Sequence, residues 1–150
     1  MKFKSATLNV RETVSVFLRK TLSITVGSLP MGIDREFQAI WPKPTAPYKE
    51  VSKVGQPTAR EYNYDDAVFS KQYDEWVYHR NIYYFWRCID GIDSDISFDN
   101  KCDAVPGILA VAAELKVAGF SDLDIGVVLK AASKISTVSE EDVATAKQSF

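Results

Sequence analysis

Eight consecutive residues, Ile82-Tyr83-Tyr84-Phe85-Trp86-Arg87-Cys88-Ile89, carry a single charge, and they end a stretch free of Gly and Pro that begins near Asp65. Asp65 and Asp66 put acids where a helix has its positive end, so a helix is predicted from about 65 to 89. Phe69, Tyr73, Trp76, Arg80, Tyr83 and Arg87 form one stripe along it, and Tyr78, Ile82, Phe85 and Ile89 a second. The stripes converge, leaving the C-terminal half apolar on nearly every side. A chain of 150 residues buries roughly 70% of its unfolded surface, which is too little to enclose all these rings. Packing takes most of them, and the surplus is expected to meet another chain, because Tyr and Trp concentrate binding energy in interfaces. The candidate partner-binding residues are Tyr73, Trp76, Tyr83, Tyr84 and Trp86.

Before this helix, Val14, Val16 and Leu18 alternate with Thr13, Ser15, Phe17 and Arg19, and Leu22, Ile24 and Val26 with Thr21, Ser23 and Thr25. Period two predicts a β-hairpin, turning at Arg19-Lys20, with Leu8 and Val10 as a further strand. Two strands are marginal alone, so the ribbon needs a helix or a second chain on its apolar face. Residues 34–41 are expected to make two helical turns that Pro42 ends. Pro42, Pro44, Pro47, Gly55 and Pro57 predict no regular structure from 42 to 60; the PxxP at Pro44 and Pro47 reads as part of this linker rather than as an adaptor ligand.

Beyond the aromatic helix, Asp103 is placed to cap a helix over about 104–118, which Gly119 terminates. Ser121 with Asp124 forms a capping-box start for a third helix bearing Ile125, Val128, Leu129 and Ala132, and Ser139 with Asp142 repeats it for a last helix ending near Phe150. The expected fold is α+β: one domain over 1–150, with a β-hairpin and short helix in 1–41, a Pro-rich crossover in 42–60 and a helical part in 61–150, the hairpin packing on the mainly helical remainder.

Charge and composition narrow the function. Net charge is -2, which gives no field to gather phosphates, although residues 1–60 are net basic and 61–103 net acidic. The two halves complement each other or face different partners. No segment reaches signal-peptide character or the length of a membrane span, so an intracellular protein without membrane or nucleic-acid partners is expected. Cys88 and Cys102 lack CxxC spacing and have only His79 to join them, which argues against zinc and redox motifs. The acidic loop 90–103 fails as a calcium loop, because a frame starting at Asp93 puts Phe98 at the turn Gly position and Ala104 at the bidentate Glu. The glycines never cluster as a phosphate loop. With no nucleophile, base or carboxylate pair in sight, no catalytic, cofactor or metal site is expected.

The order of features resembles the tail assembly chaperones of long-tailed bacteriophages. The resemblance lies in a hairpin leading into Val26-Gly27-Ser28-Leu29-Pro30, the crossover Trp41-Pro42-Lys43-Pro44-Thr45-Ala46-Pro47, and an acid-opened helix in which Tyr73 precedes Arg80. It extends to Gly119-Phe120-Ser121-Asp122, the segment 138–143 and the terminal Phe150. The run 82–89 is more aromatic here than in that family. The resemblance implies a non-catalytic protein of the host cytoplasm, absent from the mature virion. It implies binding to the apolar, helical tape measure protein before the tail tube polymerises around it, assembly into a homo-oligomer, and contact with the tail tube protein through a longer frameshifted form. Two other readings compete with it. One is a permanent structural or connector protein of the virion. The other is a helix-turn-helix regulator, disfavoured because its second helix would open with Asp122 and Asp124 where phosphate-reading residues are wanted.

Overall fold

A computed structural model of the protein describes residues 12–18, 22–92 and 94–136. The elements are β1 (Thr13–Leu18), β2 (Leu22–Gly27), α1 (Ile33–Ile40), β3 (Tyr48–Val51), β4 (Ala59–Tyr62), α2 (Ala67–Ile89), α3 (Val105–Val117) and α4 (Asp122–Ser136). The architecture is α+β. The expected strand at Leu8 and Val10, the Arg19-Lys20 connection and the helix after Ser139 lie outside the described residues.

β1 and β2 pair antiparallel, with Val16 opposite Ile24 and Leu18 opposite Leu22. The alternation works as read: Val16, Leu18, Ile24 and Val26 are buried, whereas Phe17 on the other face is 74% exposed. The cover that this ribbon requires comes from within the chain, since α4 lies against β1 and α2 against β2. The Leu29 amide donates to Ser136 Oγ at 2.8 Å and ties the segment after β2 to the end of α4.

α2 begins where Asp66 accepts a hydrogen bond from the Phe69 amide at 2.9 Å. It packs against β2, α1, α3 and α4. Its two stripes face different neighbours. Trp76 and Tyr83 close on Phe37 of α1, each at 5.5 Å between ring centroids, while Phe85 meets Phe98 edge-on at 6.2 Å and Phe120 at 5.7 Å. Gripped from both sides, 82–89 is enclosed within one chain: Ile82, Tyr83, Phe85, Cys88 and Ile89 are buried and Tyr84, Trp86 and Arg87 half-buried. The apolar surplus expected at this segment is therefore absorbed by the fold.

Residues 42–60 depart from expectation. β3 and β4 form a second antiparallel ribbon with Tyr48 opposite Tyr62 and Val51 opposite Ala59. The prolines permit it because none sits in the ladder: Pro47 precedes β3, and Pro57 lies in the turn with Gly55, whose φ is +78°. Tyr48 and Tyr62 pack across the strands at 5.5 Å, and the Arg60 guanidinium lies 4.5 Å from the Tyr48 ring. Only Val51 of the eight strand residues is less than fully exposed, so this ribbon is an arm that contributes nothing to the core.

The helical end follows its capping signals with one exception. Ser121 Oγ accepts from the Asp124 amide at 3.2 Å while Asp124 accepts from the Ser121 amide at 2.8 Å, a reciprocal box. α3 ends in a Schellman turn: Gly119 has φ +88°, and the Phe120 amide reaches the Leu115 carbonyl at 3.0 Å. Asp103 does not cap α3. Ala104 holds that position in extended backbone with no side-chain cap, and Pro106 in the first turn needs none for its missing N–H.

Gly107 of α3 decides how closely the preceding loop approaches. A Cβ there would overlap the Lys101 carbonyl oxygen and stand 3.0 Å from its carbon. Gly-to-Ala inside a helix ordinarily stabilises by about 1 kcal/mol. Here Gly107→Ala is expected to destabilise by about 1–3 kcal/mol through overpacking, as read from urea unfolding. Phe37→Ala, which empties the contact between α1 and α2, is expected to cost about 3–5 kcal/mol in the same measurement, whereas Phe17→Ala should change stability by less than about 0.5 kcal/mol.

Candidate functional site

The five candidate partner residues separate into core and rim. Trp76 is 4% and Tyr83 2% exposed, so neither is available to another chain in the folded protein. Trp76 Nε1 donates to the Trp41 carbonyl at 2.9 Å, fixing the end of α1. The Tyr83 hydroxyl donates to the Glu36 carboxylate, which also accepts from Arg87 Nε at 2.7 Å. Both residues were singled out because their indole N–H and phenol suit an interface, and the fold uses those groups internally instead. Tyr73, Tyr84 and Trp86 are half-buried against the core, with Trp86 on the Tyr83 ring at 5.9 Å. Among the described residues the buried Tyr84 hydroxyl has no hydrogen-bond partner, nor has Nε of Arg80, whose guanidinium lies over the Trp76 and Tyr84 rings.

Glu36, Tyr83 and Arg87 form a coupled group. Partial burial pushes the Glu36 carboxyl up, but the hydrogen bonds from Tyr83 and Arg87 and the Arg87 charge outweigh it and hold the group below the usual carboxylate range. Burial and the Glu36 carboxylate push the Tyr83 phenol up. The hydrogen bond to Glu36 raises Arg87 further. This arrangement joins α1 to α2.

Nucleophiles and metal ligands are similarly spent. His79 stacks on Trp41 at 4.5 Å and its Nδ1 lies 2.7 Å from the Glu75 carbonyl. Cys88 and Cys102 are buried thiols, and burial with nearby carboxylates pushes Cys102 up to about 12. Among the described residues, no three His, Cys, Asp or Glu side chains come together as metal ligands, and no helix is long and apolar enough to cross a membrane.

What the surface does present is two grooves that sequence reading missed. The first, about 520 Å³, lies between the Pro-rich run at Lys43–Ala46, the foot of the arm at Tyr62 and Tyr64, and the opening turns of α2 at Phe69, Tyr73 and Asp74. The second, about 630 Å³, lies between the loop carrying Ile96 and Phe98 and the outer face of α3, with Ala110, Ala113, Val117 and Phe120 completing it. Glu114 holds that loop in place by accepting from the Asp99 amide at 2.8 Å and the Asn100 side chain at 3.2 Å. Val117 is 90% exposed. Each groove draws its walls from separate elements, so neither shows as a local motif in the sequence.

Because the folded-state carboxyl of Glu36 is lowered, its contribution to stability is fully present above the ordinary carboxylate range near pH 4.3 and is lost as pH falls through the lower folded value. Glu36→Gln is therefore expected to be less stable than the parent at pH 7, with the gap in urea midpoint closing as pH drops below about 4.3; a constant gap would contradict the linkage. Neither thiol should react with an aromatic disulfide reagent until the protein is unfolded. No family model matches the chain, and no curated protein or solved structure is detectably similar to it.

Proposed function

We propose that the protein is a non-catalytic tail assembly chaperone of a long-tailed bacteriophage, which binds the tape measure protein in the host cytoplasm and is released as the tail tube polymerises. The resemblance in element order supports this reading. The observation that carries it in the structure is the groove beside α3. An apolar client helix needs an apolar trough with small side chains on its floor, and Ala110 and Ala113 let another backbone approach while Ile96, Phe98, Val117 and Phe120 supply contact area. The outer positions Leu123 and Val127 of α4, one turn apart and exposed, extend the apolar surface. The client surface thus moves from the buried Trp76 and Tyr83 to the exposed side of the helical end, where Phe85 packs beneath Phe98 and Phe120, while Tyr73, Tyr84 and Trp86 are left outside it.

A chaperone that must be shed cannot bind through a deep, fully desolvated pocket. A shallow trough held by van der Waals contact and modest apolar burial meets that requirement. Oligomerisation around the client is assigned to the β1–β2 ribbon, a two-stranded sheet whose outer edges have no strand partner among the described residues. Contact with the tail tube protein belongs to a longer form of the chain.

The test is affinity capture from phage-infected cells with the wild type and with an Ala113→Glu, Val117→Asp double variant, both positions being exposed, while purified virions are blotted for the same chain. The wild type is expected to recover the tape measure protein and to be missing from virions, and the double variant to lose at least about tenfold of that recovery, equivalent to roughly 1.4 kcal/mol. Presence in virions at fixed copy number would make the protein a structural component, and equal capture by the folded variant would overturn the assignment of the groove.

A further inference from the structure

The groove at the foot of the arm has different chemistry from the one beside α3. Its rings belong to a continuous track, Tyr48–Tyr62–Tyr64–Phe69–Tyr73, with successive centroids 5.5, 5.9, 6.1 and 5.9 Å apart. A second, shallower cleft of about 370 Å³ on the arm shares Tyr62 with it and carries the track on to Tyr48. Tyr64 is 67% exposed. None of the hydroxyls of Tyr48, Tyr62, Tyr64 and Tyr73 has a hydrogen-bond partner among the described residues.

Charge is arranged asymmetrically around this track. The cation-binding faces at its two ends are already occupied by the chain itself: Arg60 lies over Tyr48 at 4.5 Å and Lys43 near Tyr73 at 5.8 Å. The middle rings are free of cations, and Asp74 at the groove wall has no ion-pair or hydrogen-bond partner among the described residues. A cation arriving with a ligand therefore finds a free carboxylate in Asp74 beside the middle rings, while the end rings already have their own cations.

We propose that this aromatic track is a docking site for an extended, proline-rich segment of a partner protein, with a basic residue of that segment paired to Asp74. A polyproline II strand rises about 3.1 Å per residue and has no internal hydrogen bonds, so its carbonyls are free to accept from the row of tyrosine hydroxyls. The track, at most about 23 Å from end to end, would be covered by about seven such residues. Proline rings lie flat on aromatic faces, and a strand already held extended loses little entropy on docking. An apolar helix fits poorly here, because it would cover Asp74, Thr45, Ser70 and the hydroxyls and leave them unpaired.

The test uses the full chain, titrated by NMR with a ten-residue proline-rich peptide carrying one central Arg and with its Arg→Glu counterpart. Saturable shifts confined to Tyr62, Tyr64, Phe69 and Tyr73 are expected. Tyr64→Ala, at an exposed position that leaves the melting temperature unchanged, should weaken binding about tenfold. Arg→Glu in the peptide should weaken it about threefold or more against the wild type and markedly less against Asp74→Asn, the pattern of a direct charge pair. No saturation at millimolar peptide, undiminished binding to Tyr64→Ala, or equal or tighter binding of an amphipathic helical peptide at the same residues would overturn the site. An equal charge effect in Asp74→Asn would overturn the pairing. Because the α3 groove plays no part in this titration, failure here leaves the tape measure assay unaffected.

Discussion

Burying a tyrosine ring commits the fold to satisfying its hydroxyl. Tyr83 lies where α1 packs on α2, and its ring is fixed there by Phe37 and Trp86 while Glu36 accepts its hydrogen bond. Glu36 in turn is affordable near the core because Arg87, one turn further along α2, compensates its charge. Together with the Trp76–Trp41 hydrogen bond at the end of α1, this group gives α1 its direction on α2 and keeps the aromatic stripe from Trp76 to Tyr83 covered. With it in place the opposite stripe is free to bury Ile82, Phe85 and Ile89 against the ribbon and the helical end.

That division explains which parts of the molecule were legible in the sequence. Alternation at Val14–Leu18 and Leu22–Val26, the Asp66 start of α2, the Ser121–Asp124 box and the Gly119 stop are local signals, each enforced by hydrogen bonds within a few residues, and each appears in the structure. The arm did not announce itself because its strands are short and charged and its prolines suggested a coil, although they stand just outside the ladder. The partner residues were read from ring chemistry alone. Sequence cannot distinguish a Trp whose N–H awaits a partner from one, like Trp76, whose N–H already holds the Trp41 carbonyl, since that contact is made across the fold.

The two grooves divide the surface by chemistry. Beside α3 the trough is mostly apolar, and its polar lining groups Asp99, Asn100 and Glu114 are tied to one another at one wall. At the foot of the arm, tyrosine hydroxyls and a free carboxylate ask for a ligand that brings its own acceptors and a cation. The two surfaces differ in chemistry and lie at opposite ends of one aromatic helix, with the core between them.

The packing of α4 on β1 also sets the order in which the chain becomes safe. Residues 13–18 are synthesised well before 122–136, yet the second segment covers the first, and the Leu29–Ser136 hydrogen bond spans 107 positions. Until α4 emerges from the ribosome, the inward face of Val16 and Leu18 lacks the cover that α4 gives it. Contacts of such separation form slowly, and an uncovered apolar strand is a template for its neighbours. The nascent chain of a protein proposed to guard another from premature assembly is thus itself exposed until α4 closes.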